Sequence, residues 1–515
     1  VTKTAEALGV PDIFNAAAHF VDRHLREGRG DKVAIECGDE RVTYAKLHDR
    51  VNRFGSALRA RFDVRPEERV ALILLDGPAF AYAFFGAIKI GAVPIPVNTL
   101  WKAADYRFLL NDSGARVLVI SAELLPELRK IPPGELRSLR HVIVAGAEMG
   151  ELERLLADGA PDLTAEPTSR DAPAFWLYSS GSTGAPKGCV HLQHDMVVCA
   201  ELFGRGILGI TGEDRCFSVA KLFFAYGLGN ALYFPLAVGA TAILWPGTPA
   251  PANVYAVIAR HRPTLFFSVP TGYGMLLAQE GSFDLSSIRL AVSAGEALPP
   301  ALCERFRARF GIDVIDGIGS TEALHMFISN RQGAIRPGSS GQIVPGYQAR
   351  IVDDLDQPVA AGEIGNLWIS GDSTCACYWN QHEKSKRTIQ GEWLRTGDKY
   401  SQDADGYFWY AGRSDDMLKV GGLWVSPVEV ENALIEHPAV QECAVVGRED
   451  RDTLVKPAAY VVLRTGVSGT TELAEELQRF VREKLAEYKR PRWVEFIAEL
   501  PKTPTGKIQR FKLRA

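Results

Sequence analysis

Short apolar runs and longer amphipathic stripes alternate along most of this chain. Leu47, Val51, Phe54 and Leu58 fall at i, i+4, i+7 and i+11, so a helix opening from Val42 would carry them on one face. Residues 70–75 predict a strand, 80–90 a helix and 92–97 the next extended piece. Residues 117–120 and 142–144 follow as strands. The stretches 129–135 and 160–174 are Pro-rich and polar, and predict surface connections. Further strands are predicted at 174–178, 240–244, 264–269, 290–293 and 313–316. The last two run straight into glycine-bearing segments. Strands alternating with helices predict an α/β protein with largely parallel sheets, and strand-then-glycine places ligand groups at the carboxyl ends of strands.

The pattern changes near Gly412-Arg413-Ser414-Asp415-Asp416. Beyond it, strands at 441–447 and 458–463 accompany a helical stripe of Leu473, Leu477, Phe480, Val481 and Leu485. A chain of 515 residues is too long for one core. The predicted division is a large N-terminal domain, 1–412, and a compact α+β domain, 413–515.

Composition excludes some classes. A net charge of −4 offers no basic field for nucleic acid. No apolar run approaches the roughly 18 residues of a membrane span, and Val1 to Glu6 lack a signal-peptide pattern. Eight cysteines are sparse, and the one close pair, Cys375 and Cys377, lacks zinc-site spacing. Reduced, mostly buried thiols in a cytoplasmic protein are expected. A homodimer is an option the sequence leaves open.

Candidate chemistry centres on Tyr178-Ser179-Ser180-Gly181-Ser182-Thr183-Gly184-Ala185-Pro186-Lys187-Gly188. Glycines allow backbone N–H groups to converge, Ser179, Ser180, Ser182 and Thr183 add hydroxyls, and Lys187 adds a mobile cation. With no acid among them, the set suits a polyphosphate. It is not a P-loop NTPase motif, because Lys187 is followed by Gly188 rather than Ser or Thr.

The stretch resembles the phosphate loop of adenylate-forming enzymes, and further segments match that family in order from about Asp31 onward. The resemblance implies an α/β fold, with a multi-subdomain N-terminal domain of mainly parallel sheets and a small mobile α+β C-terminal domain. It implies ATP, Mg²⁺ and coenzyme A as cofactor and co-substrates. Gly181, Gly184 and Lys187 would line the phosphates with the hydroxyls named above. Gly295, Glu296, Asp316, Gly317 and Ile318 would surround the adenine, Ile318 standing where the family usually has an aromatic residue. Asp398 and Arg413 would hold the ribose. Thr321 would touch the α-phosphate and Glu322 would hold the metal, offsetting repulsion between the attacking carboxylate and the phosphate. Lys507 would enter for adenylation, and Lys419 would contact the second-step intermediate. Asp415 would be the hinge that brings Gly421 and Gly422 to the thioester-forming face.

In the family, the acid is held by segments matching Phe224, Ala225, Tyr226 and Gly227, and Gly319, Leu324, His325 and Met326. These are aromatic and glycine-bounded, which suits a flat ring better than an alkyl chain. Together with Trp176-Leu177-Tyr178, Ala220 to Asn230, Asp316 to Glu322 and Leu454 to Pro457, they look like benzoate-CoA ligases and their hydroxybenzoate relatives. The expected activity is ATP-dependent ligation of an aromatic acid to coenzyme A through an acyl-adenylate. The expected partners are the acid, ATP and coenzyme A, with neither nucleic acid nor membrane. His325 would bond a ring hydroxyl or amino group, or cap a backbone carbonyl; the acid could be benzoate, a hydroxybenzoate or an aminobenzoate. Two alternatives stand beside this one: an adenylation enzyme that loads a carrier protein, and a non-catalytic nucleotide-binding protein.

Overall fold

The computed structural model describes residues 4–146, 150–181, 184–413, 416–420, 423–451, 454–502 and 508–514. Ser180, Gly181, Gly184 and Lys419 are described by their backbone alone. Ser182, Thr183, Asp415, Gly421, Gly422 and Lys507 lie outside the described residues.

The first long helix is Tyr44–Arg61, and Thr43 caps it by accepting the Lys46 N–H at 3.1 Å. Val42 belongs instead to the strand Glu40–Thr43, so the helix starts two residues later than the apolar pattern predicts. Its stripe of Leu47, Val51, Phe54 and Leu58 is fully buried. The helix crosses Pro78–Lys89 where two glycines meet. A Cβ on Gly55 would lie 2.9 Å from the Gly86 carbonyl oxygen, and one on Gly86 would lie 2.8 Å from the Phe54 ring. Bare glycine therefore sets the spacing of the two backbones. Leu163, in the stretch predicted to be a polar connection, closes over the same spot, 2.5 Å from a Cβ at Gly55.

Two sheets carry the predicted parallel strands. A four-stranded sheet runs Val93–Pro96, Arg69–Ile73, Val117–Ser121, His141–Ala145, all parallel. A nine-stranded sheet has a parallel centre of Val314–Gly319, Leu290–Ser293, Leu265–Ser268, Arg215–Ser218, Thr241–Ile243 and Val33–Cys37. Antiparallel strands flank it: Glu40–Thr43 at one edge, Met326–Ser329 and Gln342–Ile343 at the other. One apolar core, containing Leu47, Phe84, Phe175, Phe267 and Ile315, spans both sheets.

Two further sheets are antiparallel. Pro173–Gly181 turns back as Gly184–Leu192 and adds Cys377–Tyr378. The phosphate-loop stretch thus spans a hairpin, with Ser179 opposite Lys187, rather than capping a parallel strand. A five-stranded sheet contains Gln348–Val352, Gly365–Ser370, Trp393–Gln402, Ile389–Gln390 and Phe408–Arg413. The glycine segment at 317–319 is likewise strand, paired to Met326–Ser329.

From Leu418 onward the chain builds separate small cores. Strands Val440–Glu449, Val455–Leu463 and Trp493–Phe496 pack against helices Pro427–Ile435 and Thr471–Lys484. Arg510 forms a forked pair with Glu431, at 2.9 and 2.8 Å, and Arg514 pairs with Asp416. All eight cysteines are free thiols. Among the described residues no helix is long and apolar enough to cross a membrane.

Gly86→Val is expected to lower the thermal unfolding midpoint by forcing the crossing apart, at a cost of about 3 kcal/mol. An unchanged midpoint in a thermal melt would contradict the close approach at Gly55 and Gly86.

Candidate active site

Lys187 sits on the returning strand of the hairpin, and Glu322 sits just past the glycine strand of the nine-stranded sheet. The fold brings them together: Lys187 Nζ is 2.7 Å from Glu322 Oε1. Tyr378, from the third strand of the hairpin sheet, joins both. Its hydroxyl accepts from Lys187 at 2.8 Å and donates to Glu322 Oε1 at 2.8 Å, while Lys187 also lies over its ring, 4.2 Å from the centroid. The Lys187 and Glu322 side chains are only 15% and 14% exposed, so the charges are largely removed from water. Burial works to raise the Glu322 pKa, but Lys187 and the Tyr378 hydroxyl outweigh it and hold the carboxyl below its ordinary value. Burial and the adjacent Glu322 push the Tyr378 phenol up, so it remains a donor. An ionised carboxylate that is largely removed from water and already paired with a cation suits a divalent ion accompanying phosphate. Glu322 would hold that ion.

Buried His191 fixes the backbone here. Its Nε2 donates to the Thr321 carbonyl at 2.8 Å and its Nδ1 faces Asp195 Oδ2 at 2.8 Å. The chain then turns sharply at Leu324, whose φ is +64°. A non-glycine residue in that region costs about 1–2 kcal/mol, here met by a fully buried side chain. The turn sends Glu322 to Lys187 and Tyr378, and His325 to Asn230.

Of the expected nucleotide residues, Asp398 and Arg413 are cross-strand partners, and Arg413 Nη1 donates to Asp398 Oδ1 at 3.0 Å. Glu296 accepts from Thr271 Oγ1 at 3.3 Å, next to Gly295 in the left-handed region. Ile318 is half-buried opposite Ile328, and Gly317 is opposite Ser329. Asp316 is buried, and its Oδ1 has no hydrogen-bond partner among the described residues. Burial pushes its carboxyl well up. An unpartnered buried oxygen suits a ligand N–H.

The acid segments also converge. His325 packs against the rings of Phe203, Tyr226 and Phe234, with centroids at 5.1, 5.6 and 4.5 Å. Gly229 lets the helix approach this histidine: a Cβ there would lie 2.5 Å from His325 Cδ2. Nε2 of His325 faces Asn230 Oδ1 at 3.1 Å, and Nδ1 has no hydrogen-bond partner among the described residues. Burial lowers the imidazole pKa to about 3, so it is neutral. Tyr226 donates to the Val292 carbonyl at 3.1 Å, tying the pocket to the strand before Gly295. The rings of Phe223 and Phe224 are tilted against each other at 56°, with centroids 4.3 Å apart, and Ala225, Gly227 and Met326 are buried.

Sequence reasoning missed several participants. Tyr378 and His191 stand in no expected motif, and Asn230, like Lys221, lies in the Ala220–Asn230 stretch without an expected role. Lys221 and Asp76 clamp the segment before Phe223. Lys221 Nζ donates to the carbonyls of Trp245 and Gly247 at 2.7 and 2.8 Å, and Asp76 Oδ1 accepts the Leu222 N–H at 3.1 Å. Burial raises the Asp76 carboxyl to about 6, against the lowering pull of Lys221. A lysine among apolar residues at 219–226 was the one available signal.

Comparison with known proteins identifies the family. The AMP-binding enzyme family matches residues 21–379, and the AMP-binding enzyme C-terminal domain matches residues 429–507. The chain is 51% identical to benzoate–CoA ligase of Thauera aromatica, over 100% of this chain and 98% of the relative. It is 45% identical to a 4-hydroxybenzoate–CoA/benzoate–CoA ligase of Rhodopseudomonas palustris, over 97% and 94%. A crystal structure of an anthranilate CoA ligase in complex with anthranoyl-AMP superposes with a TM-score of 0.94 at 46% identity, covering 99% of this chain and 98% of that one. With family models matching most of its length and relatives at 45–51% identity, this chain is a member of the AMP-binding, adenylate-forming enzyme family.

Proposed function

We propose that the chain is an ATP-dependent aromatic carboxylate–CoA ligase of the benzoate or hydroxybenzoate type. The observation that carries the aromatic assignment is the buried box of Phe203, Tyr226, Phe234 and neutral His325. With Nε2–H donating to Asn230, Nδ1 presents a lone pair that a ring hydroxyl or amino group would satisfy. The high identity to aryl-CoA ligases supports the same reading.

In the first half-reaction a carboxylate oxygen attacks the α-phosphorus and the bond to pyrophosphate breaks. In the second, the thiol sulfur attacks the acyl carbon and AMP leaves. Bound at Glu322, Mg²⁺ would neutralise phosphate charge. Lys187 would transfer from Glu322 to phosphate oxygens, and Asp398 with Arg413 would hold the ribose. Ser179, Ser180, Gly181, Ser182, Thr183, Gly184 and Thr321 would contact phosphate. Gly295, Glu296, Asp316, Gly317 and Ile318 would line the base. Phe224, Ala225, Tyr226, Gly227, Gly319, Leu324 and Met326 would shape the acid pocket. Lys507 would stabilise the pentacoordinate phosphorus; after rotation about Asp415 of domain 413–515 against 1–412, Lys419, Gly421 and Gly422 would face the thiol. The reading extends to a cytoplasmic location and to the acid, ATP and coenzyme A as partners, without nucleic acid or membrane, and leaves a homodimer open.

A panel of aromatic and aliphatic acids in a CoA-dependent AMP-release assay tests the assignment. Benzoates should exceed medium-chain fatty acids in kcat/KM by about tenfold or more; the reverse order would overturn it. Lys507→Ala should leave ATP binding near normal while slowing acid-dependent pyrophosphate release by orders of magnitude, and unchanged release would refute that role. His325 gives a pH test. Its folded pKa of about 3 lies below the ordinary value of 6.5, so the unfolded chain protonates first as pH falls. The stabilisation is complete above 6.5 and is lost toward 3. Between pH 7.5 and pH 5 this costs about 2 kcal/mol. His325→Gln should therefore show a shallower loss of urea resistance over that window than the parent, and parallel profiles would contradict a buried neutral histidine.

A further inference from the structure

Tyr378 lies outside the motifs that the nucleotide reading uses, yet it is the only described side chain hydrogen-bonded to both Lys187 and Glu322. Its ring is 2% exposed and its backbone is locked. The Tyr378 N–H donates to Ser385 Oγ at 3.0 Å, and the residue pairs with Cys189 in the sheet. The phenol therefore stays where it is when its neighbours move.

Lys187 and a divalent cation cannot both occupy the face of one buried carboxylate without repelling each other. If phosphate draws Lys187 away, Glu322 Oε1 loses a charged donor and would be left half-bonded in a largely dry site. A buried carboxylate without its donors is costly and free to rotate. A neutral hydroxyl can keep that oxygen engaged without opposing the incoming cation. The ring face, 4.2 Å from Nζ, gives the lysine a path of continuous favourable contact as it leaves.

We propose that Tyr378 is a positioning residue of the adenylation site: its hydroxyl holds Oε1 of Glu322 so that Oε2 is presented to the divalent cation while Lys187 exchanges carboxylate for phosphate. This rests on the reading of Glu322 as the metal-holding carboxylate. It predicts that Tyr378 matters to metal binding and not to nucleotide binding itself.

The test compares Tyr378→Phe and Glu322→Gln in the full-length chain. Mn²⁺ binding to the enzyme–ATP complex is measured by electron paramagnetic resonance, and ATP binding is measured separately in chelator. Tyr378→Phe should weaken Mn²⁺ binding by about tenfold to a hundredfold, the worth of one hydrogen bond to a charged group. ATP affinity in chelator should stay within about twofold. Replacing Tyr378 with 3-fluorotyrosine, which keeps the hydroxyl and the packing, should restore Mn²⁺ affinity. If Glu322→Gln weakens Mn²⁺ binding while Tyr378→Phe does not, the positioning role is overturned and the metal reading stands. If neither variant changes Mn²⁺ binding, the metal reading of Glu322 fails and the proposal fails with it. Equal losses of ATP and Mn²⁺ affinity in Tyr378→Phe, unrepaired by the fluorinated tyrosine, would mark a purely structural tyrosine and would also overturn it.

Discussion

The pairing of Lys187 with Glu322 is the constraint around which the site is arranged. Each charge comes from a different sheet, and each is largely shielded from water. Removing one ion from water costs several kcal/mol even after relaxation, and removing one partner of a buried pair costs about 3–5 kcal/mol. Such a pair is tolerable because each member is the other's counter-ion. It also suits the proposed exchange. A polyphosphate would replace the carboxylate as the lysine's partner, and a divalent cation would replace the lysine as the carboxylate's partner. Like charge would substitute for like charge, so neither group would be stranded.

The side proposed for the acid follows the opposite electrostatic rule. Its box is aromatic, and burial keeps both of its titratable groups neutral, lowering the His325 imidazole and raising the Tyr226 phenol. A flat apolar ring needs removal from water, whereas its carboxylate needs cations. The turn at Leu324 separates these demands over three residues, Glu322 to His325. Its left-handed backbone and fully buried side chain hold the charged and neutral halves at a fixed spacing. Tyr226 reaches from that box to the strand Leu290–Ser293, which leads to Gly295, so the two halves share a rigid wall.

How the segments find one another is a matter of sheet register. The phosphate hairpin places Ser179 opposite Lys187 and then adds Tyr378 beside Cys189. A conventional parallel strand with a glycine cap would leave the lysine on a following helix. Here it stands on a strand, where alternation settles which face it takes. The same rule sets Asp398 against Arg413 across an antiparallel pair.

Local chemistry was open to reading along the chain because it depends on neighbours. The stripe of Leu47, Val51, Phe54 and Leu58, the parallel strands, and the glycine-hydroxyl-lysine content of 178–188 are all properties of contiguous residues. Antiparallel return was not, since 174–178 carries the same apolar character as a parallel strand and the glycines, proline and lysine of 184–188 do not read as its returning partner. Tyr378 is 191 positions from Lys187, and Asp76 is 146 from Leu222. No periodicity spans such gaps. Residue type and local order decided which groups were available; the tertiary structure alone decided which of them met, because hydrogen bonding and charge pairing act over a few ångströms of space and not along the sequence.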